Sequence, residues 1–435
     1  MKKVRLAVTG LRQSGKTVFL TSLIGYLLGG GTRQSDLFRR HGVSITAKKL
    51  PVSGIEGRFS VEKYMNDFRY EPPKWPERTQ EMSEFHLLLQ VRNQRWVKEV
   101  KLELVDYPGE RIVDLPMADK GFEAWSDEMS VEATVGVRAA LSGAWRAKCD
   151  SLVAGGEAKE VVAAYREYLV GCKGKGLHFL QPSMMLLDLA GGGAQVGFCP
   201  LPKKVREAKP LVAEDFARQY EGYKQRYLGD FGREVVRCSH QIVLVDVLDI
   251  LKKGVDVYND AKKCFDCLLD IYRYKKRYHW LVDLVAGLVW NRGRVSRVAF
   301  VATKADQATR ANRNNMKALV EELVCDKYEY LKYDTRSKVG FFYAAANRST
   351  QDKIKEYNGR ELSVLLGRHA ESHPKEERLY YPGEVPGEWP EDWDPQEQAY
   401  RFPDFLPRLL PGREGAVFED INLDEVVWYI FGEKK

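Results

Sequence analysis

Residues 4–28, VRLAVTGLRQSGKTVFLTSLIGYLL, decide how the rest of the chain is read. VRLAVTG is a short apolar run with β-branched residues that ends on Gly10, which predicts a strand. From Lys16 to Leu28 the apolar residues recur at helical spacing, and GGGTRQSD then breaks the helix. Between the two, Gly10-Leu11-Arg12-Gln13-Ser14-Gly15-Lys16-Thr17 fits G-x-x-x-x-G-K-[ST] in full. The two glycines let the backbone curl so that successive N–H groups point inward, and the helix N-terminus adds partial positive charge. The backbone of Gln13, Ser14, Gly15, Lys16, Thr17 and Val18 is therefore the candidate phosphate cradle. Lys16 is placed to reach the β- and γ-phosphates, and the Thr17 hydroxyl to hold Mg²⁺.

Outward from this loop, strand patterns alternate with helical ones. SEFHLLLQV (83–91) and KEVKLELVD (98–106) read as two strands joined by a hairpin turn at 93–95, and as the one antiparallel element. Residues 121–176 read as helical, and 177–235 as mixed. HQIVLVDVLDIL (240–251) and VSRVAFVATKAD (295–306) read as buried strands, with a basic helical stretch, 258–290, between them. A helix (311–325), a strand (KVGFFYAAA, 338–346) and a closing amphipathic helix (INLDEVVWYIF, 421–431) follow. The stretches 32–79 and 371–415 read as irregular. This order predicts an α/β three-layer P-loop fold with a mostly parallel sheet and large, mainly helical insertions. The predicted division is a split P-loop domain, 1–110 and 236–435, with a helical insertion at 111–235.

Three further strand tips carry chemistry. In LELVDYPGE, Asp106 ends an apolar strand and Gly109 follows three residues on. An aspartate there can hold Mg²⁺, and the Gly109 N–H can reach a γ-phosphate. In VAFVATKADQ, the Asp306 carboxylate can accept paired N–H donors from guanine, which adenine lacks. Leaving that buried carboxylate unpaired discriminates by several kcal/mol. The Lys304 stem would cover the base plane, and Thr303 stands where most guanine sites carry Asn. At the next tip, small Ala344, Ala345 and Ala346 let a backbone N–H approach the guanine O6. Thr79, on the loop before the hairpin, is the candidate γ-phosphate and metal contact, with Arg78 as a candidate arginine finger. Both rest on position alone.

These residues in this order resemble translation-factor-class and alpha-subunit-like GTPases. More closely, the chain resembles the YcjX-like family of stress-associated P-loop NTPases. The resemblance is carried by VTGLRQSGKTVFLTSL, VDYPGE followed by DLP (114–116), RCSHQIVLVDVL, VAFVATKADQ, YYPGEVP and INLDEVVWYIFG. It implies a G domain that binds GTP or GDP with Mg²⁺ in the bacterial cytoplasm, near the membrane, with a stress-related role. Its functional residues fall on Gly15, Lys16, Thr17, Asp106, Gly109, Lys304 and Asp306. One departure bears on chemistry. Fast GTPases often place Gln after Asp-x-x-Gly, to orient the attacking water; here Glu110 stands there, and a carboxylate beside the γ-phosphate is repelled. Turnover is then expected on the order of 10⁻⁴ s⁻¹, or ~10⁻² s⁻¹ with an arginine finger in cis. A nucleotide-loaded scaffold with little hydrolysis, and an ATPase, are the alternatives.

The 435 residues are 44% hydrophobic and 30% charged, with a formal net charge of +7, which gives no strong nucleic-acid signal. The seven scattered Cys argue against a disulfide framework; Cys264 and Cys267 have C-x-x-C spacing but no neighbouring pair to complete a zinc site. MKKVRLAV runs into a strand without an apolar leader, and WLVDLVAGLVW is too short to span a bilayer, which takes ~20 apolar residues. A cytoplasmic protein is expected. YRYKKRYHW (272–280) interleaves basic and aromatic residues, which reads as a solvated helix face, with RNA or weak peripheral contact with acidic lipid as the alternatives. The insertion follows the loop that changes shape when γ-phosphate leaves, so a protein effector is expected to engage it.

Overall fold

The strand that opens the chain, β1 (Lys2–Gly10), lies inside a sheet. It pairs in parallel with β4 (Val97–Asp106) on one side and with β5 (His240–Val245) on the other. β6 (Arg297–Ala302) and β7 (Lys338–Tyr343) continue the parallel run beyond β5. On the other side, β3 (Ser83–Arg92) pairs antiparallel with β4, and β2 (Ser44–Leu50) antiparallel with β3. The sheet order is therefore β2-β3-β4-β1-β5-β6-β7. This computed structural model describes residues 1–51, 58–71, 73–76, 82–186, 196–273, 295–334, 337–370, 376–394, 400–410 and 418–432.

The central strands are apolar throughout because helices cover both faces of a parallel sheet. All six residues of β5 are buried, as are the last five of β6. The helix Lys16–Leu28 is buried from Phe19 to Leu27 on every side, with the helix Val61–Arg69 and β2 against it. The last helix, Leu423–Phe431, buries Leu423, Val426, Val427 and Ile430, the i, i+3, i+4, i+7 stripe that its sequence predicts.

Four sequence expectations need correction. The strand read over 240–251 stops at Val245, because the Asp246 carboxylate accepts the Asp249 N–H at 3.1 Å and caps a helix, Val247–Lys253. An apolar run such as VLDIL fits either period, and the cap decides it. The strand read over 295–306 ends at Ala302 for a related reason, since Lys304 turns left-handed at φ +57°. Within 32–79, read as irregular, lie β2 and the helix Val61–Arg69; Thr32 Oγ1 fixes the start of β2 by donating to Ile45 O (2.8 Å) and accepting Ile45 N–H (3.0 Å). The antiparallel element is thus not confined to 83–106. A second antiparallel sheet, β10-β9-β8, is built from β8 (Gln351–Tyr357), β9 (Arg360–Gly367) and β10 (Arg378–Tyr380). β8 is polar and largely exposed, and only β9 contributes buried apolar residues, Val364 and Leu365. The Pro/Glu/Trp-rich stretch, irregular apart from β10 where described, is held by Trp389 and Trp393, whose indole N–H groups donate to Leu319 O (2.8 Å) and Leu251 O (2.9 Å).

The chain divides into two units: 1–109, 237–254 and 292–435 form one, and 110–236 with 255–291 the other. The second unit therefore takes in the helix Val255–Arg273, which sequence order alone places with the phosphate-loop half. Its described part is helical, with an aromatic core of Phe122, Trp125, Phe198, Phe216 and Tyr220 and a second group of Trp145, Tyr165 and Tyr168. Arg138 and Asp260 form a buried ion pair at 2.5 Å. Asp260 also accepts the N–H groups of His178 (2.5 Å) and Phe179 (3.0 Å), and Arg138 donates to Phe179 O (2.7 Å), so neither charge is left bare. Cys264 and Cys267 lie on the same helix as Asp260; burial pushes the Cys264 thiol pKa well above its ordinary value.

The segment that follows Gly109 is anchored inside this second unit. Arg111 donates to Tyr227 O at 2.8 Å, and the Tyr220 hydroxyl donates to Met117 O at 3.0 Å. Gln181 donates to Val113 O. The buried Asp114 carboxylate accepts from Ser183 N–H (3.0 Å), Ser183 Oγ (2.5 Å) and the Tyr223 hydroxyl (2.6 Å). Burial outweighs those donors and pushes the Asp114 pKa up to about 6. The sign follows: the folded state binds this proton more tightly than the unfolded chain, so the contribution is complete below pH ~4 and lost as pH rises through ~6. Asp114→Asn, uncharged at every pH, is expected to lack this pH dependence, so the wild type loses on the order of 2–3 kcal/mol relative to the variant as pH rises across the window. Thermal midpoints of variant and wild type between pH 4 and 7 measure it as a narrowing difference toward acid.

Candidate functional site

The parallel strands end in one row. Gly10 lies opposite Leu244, Leu244 opposite Val301, and Val301 opposite Phe342. Whatever follows these residues emerges at the same sheet edge, where α/β folds hold ligands. The loops that do so are Leu11–Gly15 after β1, Asp246 after β5, Thr303–Asp306 after β6 and Ala344–Thr350 after β7. On the other side of β1, Val8 lies opposite Asp106, so the last residue of β4 stands beside the start of the glycine-rich loop.

The loop after β1 has the form that its spacing predicts. Gln13 and Gly15 take left-handed conformations (φ +68° and +84°), and Gly15 precedes the first turn of the helix. That turn presents N–H groups with no partner inside the helix. The Lys16 ammonium arcs back to donate to Gly10 O at 2.9 Å and Leu11 O at 3.4 Å. Ser14 Oγ is buried with no hydrogen-bond partner among the described residues. Gly109 comes so close that a Cβ there would lie 1.9 Å from Gly10 O and 3.2 Å from Lys16 Nζ. Only glycine fits, and its backbone is brought to the mouth of the cradle. Asp106 is buried at 3% exposure two residues further along the β4 direction from Leu104. A lysine, a curled run of N–H groups, a hydroxyl residue and a buried aspartate fit a nucleoside polyphosphate with its divalent cation; Thr17 and Asp106 are the residues that would hold the cation.

At the other end of the row, Asp306 is 3% exposed. Its Oδ2 accepts the Ser349 N–H at 2.8 Å and the Ser349 hydroxyl, and Thr350 donates to its carbonyl at 2.5 Å. Burial raises its pKa, and the Ser349 hydrogen bonds only partly offset this. Lys304 Nζ lies 2.5 Å from Asp246 Oδ2. Burial alone would lower the Lys304 pKa, but Asp246 outweighs it and the ammonium is held charged. Thr303 is tied to β5 through its N–H and hydroxyl, both directed at Val245 O (2.9 and 3.4 Å). Of the three alanines, Ala344 donates its N–H to Ala302 O (2.8 Å) and Ala345 to Ile421 O (3.0 Å). Those two are committed to backbone partners, so Ala346 is the member whose N–H has no partner among the described residues.

Glu110 is half-buried at the start of the 3-10 helix Gly109–Asp119. Arg78, Thr79 and most of YRYKKRYHW lie outside the described residues. Two partners escaped sequence reasoning. Asp246 was hidden inside an over-long strand, although an aspartate before VLDIL is an N-cap signal. Ser349 follows the alanines by three residues, and no local pattern links it to Asp306.

A glycine-rich phosphate loop, a buried aspartate beside it and an aspartate-bearing loop two strands away, all at one edge of a mostly parallel sheet, define a P-loop protein of the G-domain class with insertions. The chain belongs to the YcjX-like family (DUF463), whose model matches residues 4–434. It is similar to a Ras-like GTPase YcjX of Escherichia coli, 30% identical over 100% of this chain and 96% of that relative. It is also similar to a Ras-like GTPase YcjX of Shewanella oneidensis, 24% identical over 100% of this chain and 95% of that relative. Among the described residues, no helix is long and apolar enough to cross a membrane.

Proposed function

We propose that this protein binds guanine nucleotide with Mg²⁺ and hydrolyses GTP slowly, as a nucleotide-state switch. The observation that supports it is the placement of Lys16, Gly109, Asp106 and Asp306 at or just beyond the strand ends along one sheet edge. In this reading Lys16 and the backbone from Gln13 to Val18 neutralise the phosphates, and the Gly109 N–H meets the γ-phosphate. Thr17 and Asp106 hold Mg²⁺, with Thr79 as the further contact, and the cation supplies charge neutralisation when bound. Asp306 selects guanine, Lys304 covers the base, Thr303 braces the loop, and the Ala346 N–H approaches O6. Single-turnover phosphate release from bound GTP tests the reading. Release that needs Mg²⁺, at ~10⁻⁴ to 10⁻² s⁻¹, agrees with it. Equal affinity for GDP and ADP overturns the guanine assignment in favour of an ATPase.

Glu110 supports a second reading, a nucleotide-loaded scaffold with little hydrolysis, since its carboxylate stands where a water-orienting amide serves fast enzymes. No phosphate release over hours decides for it. In either case the anchoring of Val113, Asp114 and Met117 in the second unit supports an effector role for that unit, because any shift after Gly109 pulls on it. A stress-related role in the cytoplasm, with a protein effector and weak membrane contact, belongs to the same proposal.

Asp246 supplies a prediction that separates pairing from folding. Asn caps a helix as well as Asp does but is uncharged and forms no ion pair with an ammonium. Asp246→Asn is therefore expected to leave the melting temperature nearly unchanged and to weaken GDP binding about tenfold, by releasing Lys304. A fluorescent-GDP titration beside a melting curve reads both.

A further inference from the structure

The opposite edge of the same sheet holds a cavity of about 620 Å³. It lies where the strands begin: Lys2, His240, Arg297 and Lys338 are the lead residues of β1, β5, β6 and β7, and all four line it. His240 lies opposite Arg297 and Arg297 opposite Lys338, so these three side chains leave the same face in one row. The inner wall is apolar, built from Val4, Val91, Trp96, Val100, Ile430 and Phe431. The volume is that of a small-molecule pocket rather than of a packing defect.

Its charge is one-sided. Lys2, Lys98, Arg297 and Lys338 line it against a single acid, Glu99, which is engaged by Gln90 at 3.1 Å. Arg297 is fixed by donation to the carbonyls of Tyr429, Ile430 (3.3 Å) and Gly432 (3.0 Å), so its charge stays at the cavity wall. Lys2 and Lys338 form no ion pair among the described residues. His240 is neutral there: burial first, then Arg297 and Lys2, push its pKa down to about 4. An apolar interior with a basic rim, on which Lys2 and Lys338 form no ion pair among the described residues, suits one kind of occupant, an apolar chain with an anionic head.

We propose that this cavity binds a free long-chain fatty carboxylate, its tail among Val4, Val91 and Val100 and its head at Lys2 and Lys338. The site is independent of the nucleotide reading, since it stands at the other end of the strands. Isothermal titration of the full chain tests it with dodecanoate below its micelle concentration, and with dodecyltrimethylammonium, which has the same tail and the opposite charge. Dodecanoate is expected to bind, the cation not. Lys2→Glu with Lys338→Glu is expected to weaken dodecanoate at least tenfold at an unchanged melting temperature. Val100→Trp, which fills the interior without altering the rim, is expected to abolish binding. Equal binding of both amphiphiles overturns the proposal, as does wild-type affinity in the charge-reversed or filled variant. Attachment only to phosphatidylglycerol vesicles, without uptake of monomeric dodecanoate, overturns it too and assigns the basic rim to a bilayer surface.

Discussion

Lys16→Ala is expected to abolish binding of GTP and GDP alike, weakening both by about 10³-fold or more. The side chain does two things at once. Its ammonium bridges Gly10 O (2.9 Å) and Leu11 O (3.4 Å) across the loop, and it brings the positive charge closest to the place where Gly109 approaches. Alanine removes the charge facing the β- and γ-phosphates and the clasp that closes the loop. The fold should persist, because the helix Lys16–Leu28 is held by its buried stretch from Phe19 to Leu27 and not by its first residue. Fluorescent-nucleotide titration, with a melting curve as control, measures the effect. Affinity within tenfold of wild type in a folded variant would place the phosphates elsewhere.

Asp306→Asn is expected to move preference from guanine to xanthine nucleotides. In the wild type the carboxylate is buried and half occupied by Ser349, so its remaining acceptor capacity is what a base can use. Guanine offers N1–H and the 2-amino group. In the variant the amide oxygen can keep the Ser349 hydrogen bonds while the NH₂ turns to the base, where it repels the 2-amino group of guanine and suits the 2-carbonyl of xanthine. A buried site with the wrong pairing loses several kcal/mol. GDP affinity is expected to fall about 10²- to 10³-fold and XDP affinity to rise by a comparable factor. Competition between the two nucleotides reads the switch, and unchanged preference would mean that the base lies away from Asp306. Loss of both without reversal would point to Ser349 losing its anchor, and Ser349→Ala then separates the two causes.

The parts of the candidate site that lie along one short piece of chain are legible in the sequence. The phosphate loop, the strand that feeds it and the helix that leaves it occupy residues 4–28, and their spacing alone constrains the backbone. Asp106 is legible because it ends an apolar run, and Asp306 because it lies in the short turn just after one. Asp246 and Ser349 were not, because what they do depends on a residue distant in sequence: Lys304 for one, Asp306 for the other. The same limit hid β8–β10, whose outer strand β8 is polar and exposed, and β2, which pairs through Leu50 with His86 across a polar stretch of chain. It also left Ala344 and Ala345 looking available, when Ala302 and Ile421 take their N–H groups.

The amino-acid order by itself determined that a glycine-rich turn with phosphate-loop spacing joins a strand to a helix, and that mostly parallel strands carry it, because these follow from local backbone geometry and from apolar periodicity. The tertiary structure alone decided which carboxylate meets which ammonium, which backbone donors stay open, how the segment after Gly109 is moored, and where a second, basic-rimmed cavity forms. Those depend on strand register and on contacts between residues tens to hundreds of positions apart, and a register is fixed only when the whole sheet is assembled.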